Sequence, residues 1–142
     1  MRDLNRIILH CSATKEGRDY AVETIRKWHT DPKPKGRGWS DTGYHYVIHL
    51  DGSVSQGRPL DRSGAHTKGH NADTVGICYI GGIDKEGKPN DTMTPEQNKA
   101  FRMLVLSLRT LFDADMTIHG HNEFSAKACP SFIVKEKFAD MY

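Results

Sequence analysis

The sequence predicts an α/β domain built on a single mixed sheet of about five strands, with helices packed on that sheet. Three observations lead to this prediction. Short apolar stretches of strand length alternate with helical patterns, the turn sequence Asp51-Gly52 indicates one β-hairpin, and 142 residues suit one domain rather than two. Residues 1–142 are therefore interpreted as one domain.

The composition is that of an ordinary globular protein, with 37% hydrophobic and 27% charged residues. It excludes collagen-like, coiled-coil and disordered chains. A formal charge of +2 is too small to indicate nucleic-acid binding, and no stretch approaches the about 20 apolar residues that cross a bilayer. Three cysteines without a CxxC spacing predict no disulfide framework. The first apolar run is too short for a signal peptide, so we expect synthesis in a reducing cytoplasm.

The first part of the chain predicts a strand, a helix and a loop. Residues 6–11 have the apolar character of a buried strand, and Ser12-Ala13-Thr14 is a turn that ends it. Residues 20–29 carry apolar side chains at helical spacing (Val22, Ile25 and Trp28), with Asp19 as the expected N-cap. Prolines and glycines in 32–38 exclude a helix or a central strand, so this segment is a surface loop.

The middle of the chain predicts a hairpin and a long irregular loop. Strands at 44–50 and 53–57 are joined through Asp51-Gly52, a typical hairpin turn. Residues 58–73 are rich in Gly, His, Asn and Asp and show little periodicity. Loops of that length in compact domains are often functional.

The last part predicts two strands and two helices. Residues 74–80 are almost all apolar, as in a strand covered on both faces. Thr94-Pro95-Glu96-Gln97 combines an N-cap, a proline at the first helical position and a capping-box glutamine, so a helix begins there. A short strand follows at 116–121, and a final helix is expected to begin near Pro130.

Eight histidines raise a metal hypothesis, and their positions are more informative than their number. His10 and His121 each end a predicted strand, and Cys129 lies eight residues beyond His121. Two imidazoles and a thiolate at one edge of a sheet suit Zn²⁺, and three protein ligands leave a position for water, as in catalytic zinc sites. Spacing alone leaves open that these residues simply pack in the core.

Other histidines compete for such a role. His119 and His121 share a strand face and form a rival pair. His45 and His49 also share a face, but four residues along a strand separate them by about 13 Å, too far for joint ligation. His66 and His70 fall in the long loop, where solvent exposure is the plain interpretation.

Six stretches of the sequence carry a family pattern in order, from about residue 6 to 134. They are Ile8-Leu9-His10-Cys11-Ser12-Ala13-Thr14, Gly38-Trp39-Ser40-Asp41-Thr42-Gly43-Tyr44-His45-Tyr46-Val47-Ile48, Asp51-Gly52, Gly64-Ala65-His66-Thr67-Lys68-Gly69-His70-Asn71, Val75-Gly76-Ile77-Cys78-Tyr79-Ile80-Gly81-Gly82 and Lys127-Ala128-Cys129-Pro130-Ser131-Phe132. The sequence thereby resembles the type 2 N-acetylmuramoyl-L-alanine amidases, which share their fold with peptidoglycan recognition proteins. The likeness is greatest to short phage lysis enzymes that are called lysozymes but are amidases.

The resemblance implies one Zn²⁺ per chain, held by His10, His121 and Cys129. It implies that Tyr44 and Lys127 assist hydrolysis of the amide between N-acetylmuramic acid and L-alanine. Lys127 can place an ammonium beside the developing oxyanion, and Tyr44 can donate a hydrogen bond to that oxygen or pass a proton to the departing amine. The division of these two roles stays open. The remaining histidines at 45, 49 and 119 match no ligand position and return to structural roles.

Further expectations concern the substrate groove. Aromatic and amide side chains suit sugar rings and peptide backbone, so the candidate residues are Trp39, His66, Asn71 and Thr74. Trp39 could equally belong to the core. The loop 32–38 is longer than the link expected in phage amidases, and it forms either a basic lip over the substrate or an inert loop. Cys11 and Cys78 are expected to pack as small apolar groups.

The resemblance favours a monomeric phage or prophage endolysin without a separate wall-binding domain. Such an enzyme binds peptidoglycan and neither nucleic acid nor membrane, and it is held in the cytoplasm until a holin releases it to the wall. Two alternatives are a recognition module that binds peptidoglycan without cutting it and a cysteine hydrolase that uses Cys129 with His121. Some phage amidases of this type also inhibit the phage RNA polymerase, so the polymerase is a further possible partner.

Overall fold

A computed structural model of the chain describes residues 2–112 and 114–142. The strands are β1 (Arg6–Cys11), β2 (Thr14–Lys15), β3 (Tyr46–Ile48), β4 (Val54–Gln56), β5 (Thr74–Tyr79), β6 (Gly82–Ile83) and β7 (Thr117–Gly120). The α-helices are α1 (Val22–Thr30), α2 (Pro95–Leu111) and α3 (Val134–Lys137). No helix among these described residues is long and apolar enough to cross a membrane.

The central sheet has the strand order β4-β3-β5-β1-β7. Strands β3, β5, β1 and β7 are parallel to their neighbours, and β4 is antiparallel to β3 across the predicted hairpin. The predicted mixed sheet of about five strands is therefore confirmed. Because β1, β5 and β7 run in the same direction, the residues that follow them meet at one edge of the sheet.

Each face of the sheet is covered by helix. On one face, Phe101 and Val105 of α2 and Phe138 after α3 pack on alternate residues of β1 and β5. On the other face, Ile25 of α1 packs in a smaller cluster with Val47, Cys78 and Ile80. Side chains alternate along a strand, so His10 of β1, which lies between two residues of the larger cluster, faces the α1 side.

Helix α2 begins where the sequence predicts. Gln97 N–H donates to Thr94 Oγ1 at 3.0 Å, and Thr94 N–H donates to Gln97 Oε1 at 2.9 Å. The Gln97 side-chain amide also donates to the carbonyls of Ile48 and Ile80, at 3.2 and 3.0 Å. The capping box therefore anchors the start of α2 to the ends of two strands as well as closing its first turn.

Several predicted details are wrong. The residue before α1 is Ala21, not Asp19, and the Asp19 carboxylate instead accepts a bond from Leu50 N–H at 3.4 Å. Trp28 is 39% exposed, whereas its neighbour His29 is 9% exposed and packs inward with Ile25. The final helix begins at Val134, after a turn, and not near Pro130. The strand pair β2–β6 is not among the predicted elements, because each strand has only two residues, too few to show a periodic pattern.

Candidate metal centre and its surroundings

The structure brings the three predicted ligands together at one edge of the sheet. His10 lies near the end of β1, His121 follows β7 directly, and Cys129 lies in the loop before α3. The register pairs Leu9 with Gly120, which places the next residue of each strand side by side. The ligand atoms of the three side chains all lie within 4.8 Å of one another.

The distances and donors of this group suit zinc. His10 Nδ1 lies 3.8 Å from Cys129 Sγ, close to the about 3.6 Å expected between nitrogen and sulfur on a tetrahedral zinc ion. The adjacent Cys11 thiol and burial raise the pKa of Cys129 above its ordinary value, whereas the Cys11 backbone N–H, which donates to Cys129 Sγ at 3.2 Å, favours the thiolate form that binds metals. Among the described residues this group has three members, the number typical of catalytic rather than structural zinc sites.

Both imidazoles of the candidate group are held in the neutral form that a metal requires. Burial, followed by the nearby His66, His121 and Lys127, holds the pKa of His10 well below its ordinary value. Burial also lowers the pKa of His121, and the positive charge of Lys127 lowers it further. Both rings are thus neutral near neutral pH, and each then has one unprotonated nitrogen that can bind a metal.

Tyr44 and Lys127 lie beside the ligand group. The ring of Tyr44 is 5.2 Å from the ring of His10. Burial raises the pKa of the Tyr44 phenol well above its ordinary value, so this group is a hydrogen-bond donor near neutral pH. Lys127 is exposed, two residues before Cys129. A phenol and an ammonium thus accompany the three candidate ligands.

The four residues proposed for the substrate groove have different environments. Trp39 is half-buried, with its ring 5.0 Å from the ring of His29 and the Arg37 guanidinium 4.9 Å from its own centre. Asn71 Oδ1 accepts from the backbone N–H of His66 and of Thr67, both at 3.0 Å. Asn71 therefore holds the loop in shape.

Thr74 and His66 are placed differently from the sequence expectation. Thr74 is fully buried, so the expectation that it lines a groove is not met. Its hydroxyl lies 3.2 Å from His66 Nε2, and His66 Nδ1 lies 2.9 Å from His10 Nε2. His66 and His70 are half-buried rather than solvent-exposed.

Sequence reasoning missed the contact between His66 and His10, although one signal points to it. An isolated glycine inside a strand often marks a close approach, and Gly76 lies in the middle of β5. A Cβ atom at Gly76 would lie 2.5 Å from His66 Cδ2. The imidazole thus occupies space that a side chain at this position would fill.

The remaining histidines have structural partners away from the ligand group. His45 Nε2 lies 2.8 Å from the Arg62 carbonyl, and its Nδ1 accepts from Gly76 N–H at 3.0 Å. His49 Nε2 lies 2.7 Å from Ser55 Oγ. His119 lies 3.0 Å from a carboxylate oxygen of Glu123. None of the three belongs to the metal-ligand group found among the described residues.

The loop 32–38 adjoins this region through Arg37. The guanidinium of Arg37 lies on Trp39, Trp39 packs on His29, and His29 packs on Tyr44 at a ring separation of 5.4 Å. Tyr44 in turn packs on His10. A continuous row of rings therefore leads from the basic loop to the metal-ligand group.

We expect acid to destabilise the fold through His29 and His45. Burial, reinforced by the positive charge of Arg58, lowers the pKa of each to about 4. Unfolded histidine titrates near about 6.5, so the unfolded chain binds more protons below that pH and stability falls as the pH drops from about 6.5 toward 4. Urea unfolding should show a free energy of unfolding that is lower at pH 4 than at pH 7, by on the order of 2 kcal/mol or more.

A variant isolates the contribution of His29. Its Nδ1 accepts from Gly43 N–H at 2.9 Å, and an asparagine oxygen can accept the same bond without titrating. His29→Asn should therefore show a shallower dependence of unfolding free energy on pH, whatever its stability at pH 7. An unchanged slope would contradict the assignment.

Comparison with known proteins places this geometry in a family. The family model described as N-acetylmuramoyl-L-alanine amidase matches residues 1–132. The endolysin of Klebsiella phage KP32 is 42% identical over 134 residues, which cover 94% of this chain and 85% of the endolysin.

Two solved structures show the same fold. The N-acetylmuramoyl-L-alanine amidase LysC of Clostridium intestinale has a TM-score of 0.77 and 26% identity, covering 97% of this chain and 87% of LysC. The bumblebee peptidoglycan recognition protein PGRP-SA has a TM-score of 0.81 and 26% identity, covering 99% of this chain and 83% of that protein. Both catalytic and recognition proteins thus share this architecture.

Proposed function

The chain belongs to the N-acetylmuramoyl-L-alanine amidase family, and from that premise we propose that it is a phage-type endolysin whose amidase activity depends on zinc. It is an amidase of peptidoglycan, and the bond it hydrolyses joins N-acetylmuramic acid to L-alanine. His10, His121 and Cys129 would hold the ion. The convergence of these three side chains, from distant parts of the chain, is the observation that carries the proposal.

The residues around the ligand group suit amide hydrolysis. A zinc ion held there supplies a Lewis acid and an activated water. The exposed Lys127, whose positive charge lowers the pKa of His10 and of His121, can stabilise negative charge on the amide oxygen as the carbonyl carbon becomes tetrahedral. The Tyr44 phenol, kept protonated by burial, can donate a hydrogen bond to that oxygen or a proton to the departing amine.

Several parts of the proposal reach beyond the amidase assignment. We propose that the protein is a monomer, that it is made in the cytoplasm and that it reaches the wall after release by a holin. An interaction with the phage RNA polymerase stays a prediction from the family resemblance, and a pull-down with the cognate polymerase tests it. Size-exclusion chromatography with light scattering tests the monomer.

We expect a metal chelator to abolish amidase activity and added zinc to restore it. The assay measures release of new amino groups from purified sacculi, and mass spectrometry of the products should show stem peptides that begin with a free L-alanine. The physical reason is that the proposed hydrolysis needs the Lewis acid that the two imidazoles and the thiolate would hold.

The other hypotheses give different results in the same assay. A recognition module would bind sacculi without releasing amines. A cysteine hydrolase would stay active in chelator and lose activity on thiol alkylation. Either result would contradict zinc-dependent hydrolysis.

A further inference from the structure

A chain of hydrogen bonds runs from the ligand His10 into the interior. His10 Nε2 lies 2.9 Å from His66 Nδ1, and His66 Nε2 lies 3.2 Å from Thr74 Oγ1. The Thr74 hydroxyl donates to the backbone carbonyl of His70 at 2.7 Å. The chain thus connects an imidazole of the candidate metal site to a main-chain group that can only accept.

That carbonyl sets the direction of every bond in the chain. A carbonyl has no proton, so the single hydroxyl proton of Thr74 points to His70, and Thr74 Oγ1 must accept from His66 Nε2–H. A neutral imidazole carries one proton, so His66 Nδ1 has a lone pair and accepts from His10 Nε2–H. His10 Nδ1 is then the unprotonated nitrogen, and this is the atom that faces Cys129 Sγ.

Thr67 is compatible with the same direction. Its hydroxyl oxygen lies 3.0 Å from His66 Nδ1 and 3.3 Å from His10 Nε2. It can donate its proton to the His66 lone pair while its oxygen accepts from His10 Nε2–H. The Thr67 proton and His10 Nε2–H then share the single lone pair of His66 Nδ1, so Thr67 is compatible with these tautomers but does not determine them.

The ring of His66 has little freedom to leave this position. A Cβ atom at Gly64 would lie 2.6 Å from His66 Cδ2, and one at Gly76 would lie 2.5 Å from the same atom. The imidazole therefore rests directly against the backbone of two glycines. Asn71 holds the His66 backbone from the other direction, through the bond to its N–H.

We propose that Thr74 and His66 are positioning residues that fix the tautomer of His10, so that its Nδ1 lone pair is directed at the metal before the metal binds. The proposal rests on the zinc-dependent function proposed above. Partners that orient a metal-bound histidine affect metal affinity by about 10- to 100-fold. Thr74 is fully buried, and among the described residues its hydroxyl bonds only His66 and the His70 carbonyl, so it can affect the metal only through these neighbours.

The first test measures zinc affinity by competition with a chromophoric chelator. Thr74→Val keeps the shape of the side chain but leaves His66 Nε2–H without an acceptor, which favours the opposite tautomer of both rings. We expect zinc affinity to fall about 10- to 100-fold, and Thr74→Ser to restore it. Thr42→Val is the matched control, because Thr42 is also fully buried and lies 3.2 Å from a histidine that is not a candidate ligand, His29.

Wild-type affinity in a folded Thr74→Val protein would overturn the proposal, as would an equal loss in Thr42→Val. Gly76→Ala provides a second variant, since its methyl group displaces the His66 ring without removing a polar atom. It too should weaken zinc binding.

The second test uses the metal-free wild-type protein and needs no substitution. Nitrogen-15 NMR of the imidazoles should show that both His10 and His66 carry their proton on Nε2. A proton on Nδ1 of either ring would overturn the proposal even if the variants fail to fold. A wild-type protein that binds no zinc but shows these tautomers would instead contradict the zinc-dependent function, so the two failures are distinguishable.

Discussion

Cys129→Ser is expected to lose both zinc and amidase activity while keeping the fold. The thiolate is the only sulfur ligand of the group, and a neutral serine hydroxyl is a poor replacement for it. The loss of zinc affinity should exceed the about 10- to 100-fold that follows removal of a residue that only hydrogen-bonds to a metal-bound side chain. Cys129 lies in a loop and is only half-buried, so the thermal unfolding midpoint of the metal-free protein should change little.

Zinc content after dialysis and amine release from sacculi are the two measurements for this variant. Cys78→Ala is the control, because Cys78 is a fully buried thiol of the core that does not belong to the ligand group. That variant should keep its zinc even if it is less stable. Normal turnover by a Cys129→Ser protein shown to be free of zinc would refute the ligand assignment.

Lys127→Ala is expected to keep zinc and the fold but to lose turnover by about 10²- to 10³-fold. This is the range seen when one donor to a developing oxyanion is removed. Lys127 is exposed, and its side chain makes no hydrogen bond or salt bridge among the described residues, so truncation should not affect stability. The experiment compares kcat, zinc stoichiometry and unfolding temperature with those of the wild type.

Lys135→Ala is the matched control for this second variant. Lys135 is also an exposed lysine in the last part of the chain, on α3. Its replacement by alanine therefore changes the net charge by the same amount. A similar loss of turnover in both variants would assign the effect to overall charge and contradict a local role for Lys127.

Local signals made some parts of the fold predictable. The start of α2 is encoded within four residues, where Thr94 and Gln97 satisfy each other's backbone groups. Strand β1 contains the apolar run Ile7-Ile8-Leu9, and its end places His10 at an edge of the sheet. In contrast, the inward turn of His29 in place of Trp28 depends on which face of α1 meets the sheet, which helical spacing alone does not determine.

The candidate site was partly predictable for the same reason. Strand ends and the family pattern indicated His10, His121 and Cys129, which the structure brings together. His66 lies in a loop without periodicity, and its contact with His10 joins residues 56 positions apart. Such a contact depends on how the loop folds over β5. In the sequence, Gly76 inside that strand is the signal that indicates a close approach there.

The order of the three donors along the chain has a consequence for biosynthesis. His10 Nδ1 and Cys129 Sγ are neighbours in space but 119 positions apart in sequence, and His121 is also near the far end of the 142-residue chain. A ribosome would therefore have synthesised every strand of the central sheet before it added Cys129, the last of the candidate donors. Fragments released by premature termination between His121 and Cys129 would carry the whole central sheet but an incomplete set of candidate donors.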